Sequence, residues 1–180
     1  MIYKIHKGRH RAWPLRLGIF RNRTDFNYDV VFHNDCSYSI DAPDQEDINK
    51  LFGFSFVRWW KVTFVFLAGL FGNGILGNEH HIDSARFGWR YNLEQDKIEI
   101  LSYCYVNKKL LTESLGFFEF ERTYNARLII LAENSYLLGI NGSTNGIVFT
   151  HKKQFQYPLG VYFGGNKTAP RTMTITLSKH

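Results

Sequence analysis

The sequence predicts an all-β protein, built as an antiparallel sandwich of two sheets with one short helix. The strongest observation is the stretch Ser84–Val106, which alternates residue by residue on both sides of a short polar interruption, as two strands of a hairpin do. Short alternating segments separated by turn residues recur along the rest of the chain. The composition agrees, because ten tyrosines, sixteen phenylalanines and four tryptophans accompany only four prolines.

The 180 residues predict a single domain, 1–180, which is large enough to bury a core without a disulfide or a metal. Cys36 and Cys104 are far apart and lack metal-ligand spacing, which favours free buried thiols over a disulfide. The run His80-His81-x-Asp83 could supply two metal ligands, but adjacent side chains on a strand point apart and no third ligand follows. A surface loop is therefore expected there, with no metal and no cofactor.

Basic charge is concentrated in the N-terminal region, 1–24. This region carries seven of the 22 lysines and arginines and no acidic residue, which leaves 15 basic and 16 acidic side chains in the remainder. Such a region predicts an anionic partner, which could be nucleic acid, an acidic protein surface or an acidic glycan. The alternative is a strand over 14–20 with arginines on its solvent side. Arg9 and Arg11 are the candidates for contact with a partner protein.

Three short elements are expected before residue 54. Ile2–His6 alternates weakly and predicts an edge strand. Phe26–Phe32 predicts a strand whose hairpin partner is Cys36–Ile40. Asp41–Gly53 breaks the alternation and predicts the short helix, with Asp44 as its N-cap and apolar residues at helical spacing: Ile48, Leu51 and Phe52.

The stretch 54–78 is the most apolar part of the chain. Its uncharged core, 62–77, has sixteen residues and four glycines, so it is too short and too interrupted to span a bilayer, and no membrane span is expected. The Gly-Asn-Gly at 72–74 predicts two strands joined by a tight turn. These are either core strands or a projecting hairpin that contacts another subunit. The contact residues in the second case are Trp59, Trp60, Phe64, Phe66 and Phe71.

The second half of the chain predicts further strands. Phe117–Tyr124 alternates, and Arg127–Ala132 and Tyr136–Ile140 follow it. The last two strands, Leu159–Phe163 and Thr172–Leu177, are expected to pair with each other. The inward side chains of the final strand are Met173, Ile175 and Leu177.

The outward face of the Ser84–Val106 hairpin is the candidate ligand surface. Aromatic rings stack on the C–H faces of sugars, and arginine donates to hydroxyls or carboxylates. The candidate glycan-binding residues are Arg86, Arg90, Tyr103, Tyr105 and Tyr162. The alternative is the ordinary composition of a solvated sheet face. Nucleic-acid binding is disfavoured, because the basic charge lies mainly in 1–24 and not among these aromatics.

Carboxylates for catalysis are weakly indicated. The run Glu94-Gln-Asp96-Lys-Ile-Glu99 copies a hydrolase motif only superficially, because it starts in a turn. Glu119 and Glu121 share a face and are the best remaining pair, but paired acids are common on solvated strands. The sequence therefore predicts a protein without enzymatic machinery.

Three segments together resemble the concanavalin A-like, laminin-G-like jelly roll. They are ARFGWRY with KIEILSYCYV, then YLLGINGS, and finally LGVYFGGNKTAPRTMTITL. The resemblance implies a curved sheet packed on a flatter one, with carbohydrate on the concave face or the rim. The superfamily includes glycoside hydrolases and polysaccharide lyases, but the alginate-lyase pattern of Arg, Gln-x-His and Tyr-x-Lys is not evident.

The closing segment also resembles small β-sandwich proteins of gut-bacterial tailed phages, including the crAss-like group. This resemblance implies a non-enzymatic binding or assembly module of a virion, such as a head decoration, fibre or tail-associated protein. Its partners would be other virion proteins or further copies of itself, and a glycan. The alternative is a soluble lectin or a carbohydrate-active enzyme. The first residues do not form a signal peptide, so synthesis in the cytoplasm is expected, with the product in the virion or otherwise cytoplasmic.

Overall fold

The computed structural model describes residues 1–15, 24–57, 79–132, 135–148 and 155–180, and it confirms the predicted antiparallel two-sheet sandwich. The described strands are β1 Ile2–Ile5, β2 Ala12–Trp13, β3 Asp25–Phe32, β4 Asn49–Val57, β5 Ser84–Asn92, β6 Lys97–Val106, β7 Lys109–Phe118, β8 Thr123–Ala132, β9 Ser135–Ile140, β10 Ser143–Val148, β11 Phe155–Leu159 and β12 Met173–Lys179. One sheet has seven of these strands in the order β10-β9-β8-β3-β12-β1-β2, and the other has five in the order β11-β4-β5-β6-β7.

The predicted central hairpin is confirmed as β5 and β6. Its two strands pair antiparallel from Ser84 opposite Tyr105 to Asn92 opposite Lys97. The inward side chains of β5 are buried and face the seven-stranded sheet, with the Trp89 ring 5.3 Å from that of Phe32 in β3. The alternation that predicted the hairpin therefore separates a core face from an outer face.

Aromatic side chains fill the space between the sheets. The ring of Phe26 stacks on that of Phe54 at 5.0 Å, and Tyr28 meets Phe52 edge-on at 4.7 Å. Burying each such side chain contributes about 1.5–3 kcal/mol. This core joins the two sheets through their facing side chains.

The final strand was correctly oriented, but its predicted partner is wrong. The inward residues Met173 and Ile175 are fully buried. However, β12 pairs with β1 and β3 in the seven-stranded sheet, whereas β11 pairs with β4 in the other sheet. The loop between them crosses from one sheet to the other, so sequence proximity does not produce pairing here. Similarly, β1 is not an edge strand, because β2 lies outside it.

The predicted short helix within Asp41–Gly53 is wrong. A short 3₁₀ turn occupies Asp44–Glu46, and β4 begins at Asn49. One extra residue of β4 lies between Lys50 and Gly53 in the pairing with β5, which is a β-bulge. Because of the bulge, the consecutive residues Leu51 and Phe52 are both buried. This interrupts the alternation of a strand, so the sequence pattern resembles that of a helix.

The predicted hairpin between Phe26–Phe32 and Cys36–Ile40 is also wrong. The strand β3 pairs with β12 and β8 instead. The chain after it forms a 3₁₀ turn, and the Asp35 carboxylate accepts hydrogen bonds from the backbone N–H and the hydroxyl of Thr174, at 2.7 and 2.6 Å. These bonds direct the segment along the end of β12 and away from a ladder position.

The predicted strand over Phe117–Tyr124 is interrupted. The strand β7 ends at Phe118, and β8 begins at Thr123. Between them Glu121 has a positive φ of 57°. An L-residue in this conformation reverses the chain, so the alternation continues through a turn.

Some predicted features fall outside the described residues. The projecting apolar hairpin with Trp59, Trp60, Phe64, Phe66 and Phe71 is among them, and so is most of the N-terminal strand over 14–20. Arg9 and Arg11 are described, and both are exposed. Within the described ranges, none of the helical segments has the length and apolar character that a membrane crossing requires.

Candidate functional site

The outer face of the five-stranded sheet, which points away from the seven-stranded sheet, brings together four of the five predicted glycan-binding residues. Arg86 lies directly opposite Tyr103, and Tyr105 lies opposite Ser84 one step further along β6. Tyr162 follows β11, and its backbone pairs with that of Lys50 through bonds of 2.8 and 2.9 Å. Paired residues of an antiparallel ladder project from the same face, so these side chains converge at one end of the sheet.

Arg86 is the buried centre of this cluster, with 6% of its surface exposed. Its Nη2 donates to the carbonyl oxygen of Gly160 at 2.8 Å, while its Nε has no hydrogen-bond partner within the described part of the chain. Burial lowers the pKa of Arg86 to about 10, so the group remains protonated at neutral pH. No carboxylate of the described residues pairs with it. The site therefore contains a buried positive charge that none of the described carboxylates compensates.

Lys50 adds a second cation beside Arg86. Its Nζ lies 4.9 Å above the centre of the Tyr103 ring and donates to the carbonyl oxygen of Ile48. Burial, followed by the charge of Arg86, lowers the pKa of Lys50 to about 8, against an opposing effect of Asp47. Lys50 was not among the predicted site residues, because its stretch was predicted to be helical and a helix does not place this side chain on the sheet.

The tyrosines surround the two cations. The rings of Tyr103 and Tyr105 are 5.8 Å apart, and burial together with the hydrogen bond to Tyr105 raises the pKa of Tyr103. The ring of Tyr162 stacks on His10 at 5.3 Å. Tyr105 and Tyr162 are half-buried, so their rings remain accessible at the rim of the cluster.

His80 and His81 border the same end of the sheet, on a 3₁₀ turn fixed by the hydroxyl of Ser84, which donates to the carbonyl of His80 at 2.7 Å. Their rings are 4.1 Å apart, and that of His81 is 4.9 Å from Tyr105. Burial, then the neighbouring His81, Arg86 and Lys50, lowers the pKa of His80 to about 4. Burial, then Lys50 and Arg86, lowers that of His81. Both imidazoles are therefore neutral at neutral pH and can accept a proton.

These histidines do not form a metal site with the rest of the described chain, in which no group of three metal-ligating side chains is present. Asp83, the third member of the sequence run, instead accepts a hydrogen bond from the backbone of Asn107 at 2.9 Å. The pair is nevertheless more than a surface loop, because both rings are half-buried beside the cationic cluster.

Arg90, the fifth predicted residue, lies on the same face at the other end of β5. Its Nε donates to Glu99 at 2.6 Å and its Nη1 to Glu46 at 2.5 Å. Glu99 is 5% exposed, so this pair is an internal ion pair of the sheet. Arg90 therefore lies on the outer face, but Glu99 and Glu46 neutralise its charge.

Two glycines allow the close packing of the cationic end. A Cβ on Gly53 would stand 2.2 Å from the carbonyl oxygen of Ala85 and 2.3 Å from the Cβ of Arg86. A Cβ on Gly164 would stand 2.1 Å from the carbonyl oxygen of Ile48, and the N–H of Gly164 donates to Asn49 at 2.8 Å. Gly53 thus lets β4 approach Arg86, and Gly164 lets the Tyr162 segment approach β4.

The carboxylates considered for catalysis lie elsewhere and are paired. Glu119 accepts from Arg122 at 2.8 Å, and Glu121 contacts His33 at 2.9 Å. Neither belongs to the outer-face cluster.

The chain matches no protein-family model and no curated protein. Solved structures do share its fold. An alginate lyase from Pseudomonas aeruginosa has a TM-score of 0.50 at 7% identity, over 88% of this chain and 66% of that one. One from Klebsiella pneumoniae has a TM-score of 0.55 at 8% identity, over 87% and 59%. A polysaccharide lyase family 7 alginate lyase has 0.50 at 7%, over 90% and 65%.

The predicted concanavalin-like β-sandwich is confirmed by these matches. The chain spans less than two thirds of the length of these lyases, and at such low identity the likeness shows the fold alone. The matches give no support to a phage origin or to a virion role, both of which stay predictions from resemblance.

The prediction that the chain lacks enzymatic machinery is contradicted, because these solved structures are polysaccharide lyases. That prediction rested on short motifs: the Glu94–Glu99 run, the Glu119 and Glu121 pair, and the alginate-lyase pattern of Arg, Gln-x-His and Tyr-x-Lys. The cluster on the outer face instead takes Lys50 from β4, Arg86 from β5, Tyr103 and Tyr105 from β6, and His81 from a turn. Because these residues come from separate segments of the chain, no contiguous sequence motif predicts the cluster.

Proposed function

We propose that this protein is a polysaccharide lyase that binds an acidic polysaccharide on the outer face of its five-stranded sheet. The observation that carries the proposal is the buried guanidinium of Arg86, which has neither a carboxylate partner nor a hydrogen bond at Nε among the residues that the structure describes. A buried charge is costly unless it is paired, and an anionic ligand would supply the partner. Lys50 lies beside it and doubles the positive charge.

The carboxylate of a uronate sugar suits this pair of cations. Arginine can bind a carboxylate through two parallel hydrogen bonds, and lysine adds a point charge. The half-buried rings of Tyr105 and Tyr162 offer flat surfaces on which sugar rings can stack. The matching solved structures from Pseudomonas aeruginosa and Klebsiella pneumoniae are alginate lyases, which supports a uronate polymer as the substrate class.

Cleavage of such a polymer by elimination requires three contributions. A cation at the carboxylate stabilises the negative charge that develops when the proton on C5 is removed. The electron pair of the C5–H bond then forms the C4–C5 double bond, the C4–O bond breaks, and the departing oxygen receives a proton. A base and an acid must therefore lie beside the carboxylate site.

His81 and Tyr105 can supply this pair. The imidazole of His81 is neutral because burial and the neighbouring cations lower its pKa, so it can take the C5 proton. The ring of Tyr105 is 4.9 Å away, and its hydroxyl can protonate the leaving oxygen. We assign His81 as the base, Tyr105 as the acid, and Arg86 with Lys50 as the carboxylate-binding groups.

The test is incubation of the protein with polymannuronate, polyguluronate and polygalacturonate, followed by the ultraviolet absorbance of the new double bond. We expect activity on one of these polymers and a loss of at least about 100-fold in His81→Gln and Tyr105→Phe. Tyr91→Phe is the matched control, because Tyr91 bonds to Asp96 and lies outside the cluster. Binding without unsaturated product, or full activity in both variants, would contradict the lyase assignment.

The assembly role expected from the sequence remains a separate proposal. Its contact surface combines Arg9 and Arg11 with the apolar stretch 57–77. The exposure of both arginines is compatible with it. Sedimentation of the purified chain tests it, since discrete oligomers lost in Arg9→Gln and Arg11→Gln would favour assembly and a monomer would oppose it.

A further inference from the structure

The basic N-terminal segment borders the proposed substrate site. The backbone of Arg11 pairs antiparallel with Tyr162, Tyr162 pairs with Lys50, and Lys50 pairs with Gly88 of β5. These four residues form one row that crosses the strands. The row extends the outer face of the five-stranded sheet beyond β4, so residues far apart in sequence lie on one continuous surface.

The segment is held in this position by several backbone bonds. The N–H of Phe163 donates to the carbonyl of His10 at 2.7 Å, and the N–H of Ala169 donates to the carbonyl of Arg9 at 3.1 Å. The ring of His10 stacks on Tyr162 with an angle of 11° between their planes. The start of the chain is therefore docked against the site by specific contacts.

The row places Arg11 on the same face as Lys50, two strand positions away. Residues paired in an antiparallel row project from the same side, so Arg11, Tyr162 and Lys50 share the outer face. Adjacent strands are about 4.8 Å apart, which puts the backbone of Arg11 about 10 Å from that of Lys50. Arg11 is exposed and forms no ion pair with the described residues.

The three cations become progressively more accessible along this direction. Arg86 is buried, Lys50 is half-buried and Arg11 is exposed, with the half-buried ring of Tyr162 between the last two. A single acidic sugar offers only one carboxylate to the three cations. A linear chain of acidic sugars crossing the strands can contact all three.

We propose that Arg11 forms a distal subsite for a linear polyanionic glycan, whose chain runs from Arg86 across Lys50 and Tyr162 to Arg11. This inference rests on the proposed function, because it extends the same binding surface. It assigns the basic N-terminal segment to substrate binding. It also defines the ligand as an oligomer with repeated negative charges.

The test compares oligomers of different length. Binding of size-fractionated oligouronates, from dimers to octamers, is measured by calorimetry for the full chain, for Arg11→Gln and for Lys4→Gln. Lys4 is the matched control, because it is an exposed cation of the same basic region but belongs to β1 in the seven-stranded sheet. To prevent turnover, all three proteins also carry Tyr105→Phe.

We expect the affinity of the parent protein to rise with oligomer length. Arg11→Gln should weaken octamer binding about fivefold, a typical effect of one exposed charged contact, and should leave dimer binding unchanged. Lys4→Gln should match the parent at every length. Thermal unfolding of each variant shows that the fold is retained.

The outcomes separate the two proposals. An unchanged octamer affinity in Arg11→Gln, an equal loss for dimers and octamers, or the same loss in Lys4→Gln would overturn the distal subsite while the proposed function stands. If neither this parent nor the unsubstituted chain binds any oligouronate, both proposals are overturned.

Discussion

Two arginines of one strand, Arg86 and Arg90, occupy the same outer face and have opposite environments. Arg90 lies opposite Glu99 in the β5–β6 ladder and also reaches Glu46, so its charge is neutralised inside the fold. Arg86 lies opposite Tyr103 and has no carboxylate partner among the described residues. The two positions are four residues apart in sequence.

The difference shows that cross-strand register decides what a charged side chain does on a sheet. The partner directly opposite is the nearest neighbour, and it either compensates the charge or leaves it available. The Arg90 end is compensated within the fold, whereas the Arg86 end is the proposed ligand site. Opposite effects on stability and on binding are expected when each end is altered.

The largest expected effect is on stability at the Arg90 end. Arg90→Ala leaves the carboxylate of Glu99 buried without a cation, so the free energy of unfolding should fall by about 3–5 kcal/mol. Urea unfolding measures this change, with the slope m as a check that the unfolded state is unaltered. Arg86→Met is the matched comparison, because it removes a cation from the same face without leaving a described carboxylate unpaired. Equal losses in the two variants would show that register does not distinguish them.

The second expected effect is on ligand binding at the Arg86 end. Arg86→Met should weaken binding of acidic oligosaccharides at least tenfold, about 1.4 kcal/mol, because the buried guanidinium is the central carboxylate contact. Its stability should be unchanged or higher by about 1 kcal/mol, since replacing a buried charge by an apolar side chain is often stabilising. Affinity electrophoresis in gels containing the polysaccharide measures the binding. A variant that binds normally would remove Arg86 from the site.

The sequence predicts which residues share the outer face of the hairpin. It does not predict that Arg86 and Arg90 have different surroundings on that face. Period-2 alternation correctly placed Arg86 and Arg90 on one side of the hairpin and Tyr103 and Tyr105 beside them. The alternation does not determine register, because a one-residue change in the loop would give each arginine a different partner. The pairing of Arg90 with Glu99 therefore required the structure.

The rest of the cluster depends on long-range contacts. Lys50 reaches the face through a β-bulge, which made its stretch look helical in sequence. Tyr162 reaches it through backbone bonds to Lys50, more than one hundred residues away in the chain. The sequence pointed to His80 and His81 only as possible metal ligands, which is a different chemistry from the proton transfer proposed for His81. These contacts join residues that are distant in sequence, so no local sequence pattern predicts the complete site.

The third expected effect is a loss of stability in acid, caused by His80 at the Arg86 end. The pKa of His80 is about 4 in the folded protein, against 6.5 when unperturbed, because burial and then His81, Arg86 and Lys50 disfavour the charged ring. The unfolded chain therefore binds more protons between these values, so stability is fully present above pH 6.5 and is lost as the pH falls towards 4. Allowing for partial exposure, the loss is about 1–2 kcal/mol.

His80→Asn should remove this pH dependence, and unfolding curves recorded from pH 7 to pH 4 would reveal it. The variant is expected to lose less stability than the parent across this window. His180→Asn is a control, because His180 is an exposed partner of Asp29 on the other sheet. Identical acid sensitivity in the parent and in His80→Asn would show that the ring is not held neutral by its surroundings.

The smallest expected effect is a change of ligand affinity in mild alkali, caused by Lys50. Its pKa of about 8 means that the ammonium loses its proton as the pH rises through 8, and the attraction for a carboxylate then weakens. Affinity for an oligouronate should fall a few-fold between pH 7 and 9, about 1 kcal/mol or less, because Arg86 stays charged. A bound carboxylate itself favours the charged amine, so the fall in the complex occurs at a somewhat higher pH. Lys50→Arg keeps a charge that does not titrate in this range, and its affinity should be independent of pH. A parallel decline in Lys50→Arg would mean that another group titrates, and the uncompensated end would then consist of Arg86 alone.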